Sequence, residues 1–347
     1  MTRTIAKPAG TGVKKTRQTA KGKDWRGRSL LGLQGVDAAD LRTILYRTRE
    51  LEPRANQTAT RTGELEGRVV ATLFFEDSTR TKTSFTLAAQ RMSADVLDLS
   101  VGASSVNKGE SLIDTALTVE AMGVSAMVVR ARQGGAAGII ARAVKCPVIN
   151  AGDGKHEHPT QGLLDIYALA EAHGRLDDFD LSGLTVAIVG DVASSRVARS
   201  GLAGMTALGA KVICIGPPVM APKSLESLGC TVSHDLDAVL PTVDAAMMLR
   251  IQFERHGEGE AKAPAGVGPA AKAASIASIR EYRAMYGMTE ERAARIRKNA
   301  IIMHPGPMNR GLEIDPEVAD GQRSVVLRQV ALGVAVRMAA LGLILGS

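Results

Sequence analysis

Apolar residues follow two periods along this chain, and the two alternate. Between positions 40 and 51, Leu41, Ile44 and Leu45 recur at helical spacing. Positions 69–75 form a near-continuous apolar run, as expected of a strand buried on both faces. A helical stretch through Met92 follows, with Phe85, Ala88, Ala89 and Met92 at i, i+3, i+4 and i+7. Short strands are predicted at 96–99, 126–129 and 147–149, separated by helices near 112–122 and 136–144. Positions 159–173 read as a helix with Leu163, Leu164, Ile166 and Tyr167 on its apolar side. After a polar turn at 174–180 the alternation restarts, with strands at 185–189, 212–215, 245–249 and 300–303. A helix at 196–208 lies between them, and 288–299 leads into the last strand. Positions 256–274 are rich in Gly, Ala, Pro and Lys without a period, and predict a long loop. The final helix spans about 326–345.

Such alternation predicts an α/β protein of two similar domains, each a parallel sheet of about four strands flanked by helices. The 159–173 helix is the natural crossing between them. A site is then expected between the domains, at the carboxyl ends of strands.

Composition narrows the function. The chain has 347 residues, 45% hydrophobic and 23% charged, as a globular protein requires. Its formal charge of +7 suggests a nucleic-acid partner until the charge is located. Residues 1–28 hold nine of the 43 Lys and Arg and one of the 36 acids, so the rest is near −1. The first 28 residues therefore read as a basic flexible tail on a near-neutral body. Ten aromatic residues are too few for base-stacking platforms, and nucleic acid is not the expected partner. Three scattered cysteines make neither a disulfide framework nor a zinc pair, which suits a reducing cytoplasm. The basic start lacks the apolar core of a secretory signal. The apolar stretch at 330–345 is interrupted by Arg337 and reads as a buried helix, not a membrane span.

The sharpest chemical signal follows the first strand: Glu76-Asp77-Ser78-Thr79-Arg80-Thr81-Lys82. Hydroxyls, a guanidinium and free helix N–H groups there would form a phosphate cradle. Simple capping explains one Ser-Thr pair, but not this polar run after an apolar strand. It is neither a Walker loop nor a dinucleotide fingerprint, since GxxxxGK[ST] and GxGxxG are both missing. A second cluster, Gly152 to Gln161, puts His158 at the start of the crossing helix as a hydrogen-bond donor or acid/base. His156 and His158 lack a third ligand group, so no metal is expected. Arg130, Arg196 and Arg250 also fall at strand ends or helix starts, which favours a small substrate with several negative charges. His304-Pro305-Gly306-Pro307 follows the last strand and reads as a rigid turn whose backbone could line the cleft.

From about residue 29 onward the chain resembles the aspartate carbamoyltransferases, within the aspartate/ornithine carbamoyltransferase superfamily. The resemblance rests on Ser78-Thr79-Arg80-Thr81, His158-Pro159-Thr160-Gln161, Leu249-Arg250-Ile251-Gln252 with Arg255, and His304 to Gly311. It implies carbamoyl transfer from carbamoyl phosphate to L-aspartate in pyrimidine biosynthesis, without a cofactor or covalent intermediate. It implies two crossing helices, a carbamoyl-phosphate domain at 29–159 and 333–347, and an aspartate domain at 160–332. Ser78, Thr79, Arg80 and Thr81 would hold the phosphate. Thr81, Arg130 and His158 would polarise the carbamoyl oxygen, with Gln161 near the amide and the Gly306 and Pro307 backbone completing the pocket. Arg196, Arg250, Gln252 and Lys108 would bind aspartate. Ser104 and Lys108 match a loop that the family inserts into the neighbouring subunit's site, which implies a homotrimer with shared sites. Further assembly with regulatory or dihydroorotase chains is left open. Glu76 matches the residue that pairs with Arg196 and Arg255 on domain closure.

Departures are local. Lys82 and Thr86 stand where the family usually has Arg and Glu, Ala131-Arg132 replaces His-Pro, and Ser194 replaces a common His. The 256–274 loop is longer and richer in Gly and Ala than the family's. The nearest rival is an ornithine carbamoyltransferase, expected to show His-Cys-Leu-Pro at 304–307 and no Leu-Arg-Ile-Gln segment. A silent scaffold homologue is opposed by the intact cationic set, and a nucleic-acid binder is supported by the tail alone.

Overall fold

The structure, a computed structural model, describes residues 23–57, 61–100, 111–251 and 279–346. The first half runs α1 (Ala38–Ala55), β1 (Val69–Phe74), α2 (Thr79–Arg91), β2 (Asp95–Ser100), α3 (Leu112–Ala121), β3 (Ala126–Ala131), α4 (Ala136–Ala143), β4 (Val148–Asp153) and α5 (Pro159–Ala172). The second runs β5 (Thr185–Val189), α6 (Arg196–Ala207), β6 (Lys211–Ile215), β7 (Thr231–Ser233), α7 (Leu236–Val239) and β8 (Ala245–Met248). It ends with α8 (Ile279–Tyr286), α9 (Glu290–Arg295), β9 (Ile301–Met303), α10 (Pro316–Ala319) and α11 (Val326–Leu345).

Two all-parallel sheets form, in the order β2-β1-β3-β4 and β7-β6-β5-β8-β9. Strands β1, β3, β5 and β8 are buried almost throughout, because helices cover both faces. In each sheet the order reverses once, between β1 and β3 and between β5 and β8. At such a reversal the connections leave in opposite directions and open a crevice at the carboxyl ends. Residues 75–81 follow β1 and Arg130 stands near the end of β3 at one reversal; Arg196 and Arg250 follow the other.

The expected architecture is found, with corrections of extent. The second sheet has a fifth strand, β7, three residues of partly exposed edge with no apolar run to announce it. β4 extends to Asp153, beyond the predicted 149, because its polar residues are buried and satisfied: Asn150 Nδ2 donates to Leu31 O at 2.9 Å and Asp153 Oδ1 at 2.8 Å. β3 continues through Arg130 and Ala131, beyond the predicted 129. The 288–299 stretch that leads into β9 holds a short helix, Glu290–Arg295, capped by Thr289.

Helix α11 is long and apolar enough to cross a bilayer by composition, yet it packs against α1, α2 and α5. Arg337 within it is buried, donating to Ser84 Oγ at 2.8 Å and Gly333 O at 2.9 Å. The predicted 256–274 loop and residues 1–22 of the tail lie outside the described residues.

Candidate active site

A cleft of about 620 Å³ opens where the carboxyl ends of the two sheets face each other. Glu76, Ser78, Thr79, Arg80, Thr81, Arg130, His158, Gln161, Arg196, Arg250, Gly306 and Pro307 all line it, so every described candidate converges there. Ser104, Lys108, Gln252 and Arg255 lie outside the described residues.

Ser78 occupies the N-cap position of α2, but its side chain accepts no capping bond and the first turn holds no acid. The hydroxyl and the helix-end N–H groups are thus left for an anion. Arg80 stands in this turn. Burial and the nearby Arg250 charge both push its pKa below the usual guanidinium value. A second positive charge so close is tolerable where a polyanion will sit between them.

Arg130 lies at a register shift between β3 and β4, where a strand commonly re-aims a side chain. Its Nη1 donates to Ala151 O at 3.0 Å, and its Nη2 to Glu76 Oε1 at 3.3 Å. Arg196, the first residue of α6, pairs with both oxygens of Glu76 at 2.8 Å. Gly152 lets both guanidiniums approach the backbone. Its φ is +114°, and a β-carbon there would meet Arg130 Nη1 at 2.9 Å and Arg196 Nε at 3.2 Å.

His158 is buried at the start of α5, and its backbone N–H donates to Ser200 Oγ at 2.9 Å. Ser200 in turn donates to the buried Glu157 at 2.8 Å, which also accepts from Leu33 N at 2.6 Å. Burial, then the charges of Arg130, Arg337 and Arg196, push the imidazole pKa well below its ordinary 6.5. His158 is therefore neutral at pH 7, and its ring is able to donate to a ligand without carrying charge. His156 turns to Asp153 instead, at 3.1 Å, and has a structural partner.

The turn after β9 is built to accept. Gly306 N–H donates to His304 Nδ1 at 2.8 Å, which leaves Nε2–H to face Glu313 Oε1 at 3.2 Å. Pro305 and Pro307 have no N–H. With Gly306 N–H committed, the turn has only carbonyl oxygens to offer the cleft. Gln161 stands on the same side, its Nε2 donating to Asp165 Oδ1 at 2.9 Å.

Sequence reasoning gave no role in the site to three of its parts. Arg132 and Lys155 line the cleft beyond the candidate set, with Lys155 Nζ 3.2 Å from Ser194 Oγ. Gly152 was signalled by its place in a Gly-Asp-Gly turn. Among the described lining residues, six cations face two carboxylates, Glu76 and Asp77. The cleft is thus prepared for anions, with donors on one wall and acceptors on the other.

Comparison with known proteins finds relatives along most of the chain. Residues 28–171 match the family model described as aspartate/ornithine carbamoyltransferase, carbamoyl-P binding domain, and residues 182–344 match its Asp/Orn binding domain. The chain is 49% identical over 314 residues to the aspartate carbamoyltransferase catalytic subunit of Myxococcus xanthus, covering 90% of this chain and 98% of that one. With that of Thermobifida fusca it shares 50% over 303 residues, covering 87% and 90%. Aspartate transcarbamoylase from Trypanosoma cruzi, solved with carbamoyl phosphate and aspartate, superposes with a TM-score of 0.78 at 27% identity, covering 93% and 96%. Ornithine carbamoyltransferase from Thermus thermophilus shares the fold, with a TM-score of 0.75 at 24% identity, covering 90% and 97%.

Proposed function

The chain belongs to the aspartate/ornithine carbamoyltransferase family, and we infer from its cleft that it is the aspartate enzyme. It transfers the carbamoyl group of carbamoyl phosphate to the amine of L-aspartate, giving N-carbamoyl-L-aspartate and phosphate, in pyrimidine synthesis.

One observation carries this reading: the arginines at both sheet reversals meet in one cleft beside an acceptor wall. In our reading, the phosphate sits at the α2 N-terminus with Ser78, Thr79, Arg80 and Thr81. Thr81, Arg130 and neutral His158 hold the carbamoyl oxygen. Carbamoyl phosphate has a single donor group, its NH2, and Gln161 and the carbonyls at 305–307 suit it. Arg196 and Arg250, with Gln252, take the aspartate carboxylates. An ornithine side chain would bring a cation towards Arg250 instead of a carboxylate.

The aspartate amine attacks the carbamoyl carbon, forming a C–N bond. The carbonyl oxygen gathers negative charge, which fixed donors stabilise by roughly 3–4 kcal/mol each. The C–O bond to phosphate then breaks, and the departing phosphate takes the amine proton. Much of the acceleration comes from neutralising and aligning two anions that repel in water.

We place the carbamoyl-phosphate domain at 29–159 and 333–347 and the aspartate domain at 160–332, with α5 and α11 crossing. A cytoplasmic homotrimer, with Ser104 and Lys108 entering a neighbour's site, completes the reading. Its test is purified protein given carbamoyl phosphate with aspartate or ornithine. Carbamoyl aspartate is expected; product with ornithine alone would overturn the assignment, and product with neither would favour a silent homologue.

A further inference from the structure

Asp165 stands one turn after Gln161 on α5 and is fully buried. Its Oδ1 accepts two bonds, from Gln161 Nε2 at 2.9 Å and from Gln329 Nε2 of α11 at 2.7 Å. Gln329 Oε1 accepts from His304 N at 3.0 Å. A carboxylate oxygen bonded to two amides can only accept from them. Asp165 therefore fixes which way both amides face. Gln161 is left with Oε1 to present to the cleft it lines, and Gln329 is left with Oε1 to hold the start of the 304–307 turn.

We propose that Asp165 is a positioning residue for recognition of the carbamoyl NH2, because its carboxylate makes Gln161 an acceptor and ties Gln161 to the acceptor turn through Gln329. Both parts of the acceptor wall then depend on one buried oxygen. Packing alone does not call for an acid here. Its other oxygen, Oδ2, is buried without a hydrogen-bond partner among the described residues, and an apolar side chain would fill the position at lower desolvation cost. Burial pushes its pKa up to about 7, while Gln329, Gln161 and the charge of Arg337 oppose that rise. Arg337, on α11, is the charged group that faces it.

The inference rests on the proposed reading of Gln161 beside the carbamoyl amide, and it adds a specificity. An acceptor wall discriminates NH2 from CH3, so it selects carbamoyl phosphate over acetyl phosphate. A site built to hydrogen-bond an N–H rejects the analogue that lacks it. Inorganic phosphate has neither group and reports the phosphate cradle alone.

The experiment uses the full chain and measures KM for carbamoyl phosphate, with Ki for acetyl phosphate and for inorganic phosphate. Asp165→Leu is expected to raise the carbamoyl phosphate KM by about 10-fold or more, with both Ki values within about threefold of wild type. Asp165→Asn keeps an oxygen for both amides, and is expected to stay within about threefold for all three ligands. If Asp165→Leu does not fold, Asp165→Ala is read the same way. Equal weakening of all three ligands would make Asp165 a structural pin and overturn the proposal, as would no weakening of any. Failure of the wild type to turn over carbamoyl phosphate with aspartate would defeat the proposed function itself; normal wild-type turnover with unmoved selectivity would defeat this inference alone.

Discussion

Glu76 and Arg196 meet across the cleft in a two-pronged ion pair, with both N–O distances at 2.8 Å. Glu76 follows β1 of the first sheet, and Arg196 opens α6 behind the second. Arg130 shares the same carboxylate at 3.3 Å. One acid thus ties the two halves together and stands between two guanidiniums that would otherwise repel. Glu76→Gln removes the charge and keeps the shape. We expect the KM for aspartate to rise about 10- to 100-fold, the range for a lost charged hydrogen bond, with phosphate inhibition nearly unchanged. Steady-state kinetics decide it; equal loss for both ligands would mean that the pair organises the whole cleft.

Gly306 and Arg80 are coupled by contact. A β-carbon at Gly306 would overlap the Arg80 guanidinium, and φ there is +61°. Arg80→Ala is expected to lower kcat by about 10²–10³. Its melting temperature should not fall, since burial and Arg250 already disfavour the Arg80 charge. Gly306→Ala should lose activity by displacing Arg80, so the double variant should be no worse than Arg80→Ala alone. Fully additive losses in the cycle would show that Gly306 acts by another route.

The sequence disclosed the parts of this site that punctuate its pattern. Ser78 to Thr81 stand out because a polar run interrupts an apolar strand and helix. Arg196 and Arg250 stand out because each follows an apolar strand. The parts that stayed hidden work through contacts between distant segments. Asp165 and Gln329 are 164 positions apart, and each reads as a stray polar residue in an apolar helix. Gly152 differs from many turn glycines only in having two guanidiniums above it. β7 escaped notice because three half-exposed edge residues carry no period.

The shared site we propose makes a prediction about mixed oligomers. Lys108 lies in the segment read as entering a neighbour's cleft, and Arg80 lies in the cleft of its own chain. Lys108→Ala and Arg80→Ala homo-oligomers should each be nearly inactive. Mixing the two should restore activity, since some clefts then carry both wild-type residues. In a random trimer, restoration is expected at roughly a quarter of wild type or less, each inactive residue eliminating half the clefts. Mixed oligomers without any recovery would place Lys108 in its own chain's site or in none.

His158 should remain neutral across the working range. Burial and the surrounding arginines hold its pKa well below the ordinary 6.5. The unfolded chain therefore takes up this proton first as the pH falls. The stability contribution of the neutral ring is present above pH 6.5 and declines as the pH drops through and below that value. Imidazole NMR should show no His158 titration between about pH 6 and 9, and His158→Gln should flatten acid destabilisation. A titration near neutrality would mean that burial and the arginines do not hold the ring neutral.

Asp165 has the opposite sign. Its pKa rises from 3.8 to about 7 in the folded protein, so the folded state binds the extra proton between those values. Stability from this group is fully present below pH 3.8 and is lost as the pH rises through about 7. A shift of about three units corresponds to about 4 kcal/mol, which the ionised, buried carboxylate withdraws at pH 8. Asp165→Asn has no such proton to lose. Measured by denaturant at pH 5 and pH 8, the stability of the Asn variant relative to wild type should improve as the pH rises, by a few kcal/mol. Meanwhile its affinity for carbamoyl phosphate should hold, because the two amides still find their acceptor. Parallel stability curves for the two proteins would mean that Asp165 ionises freely in the core. Burying the charge would then carry no cost, and Asn would gain no stability over Asp as the pH rises.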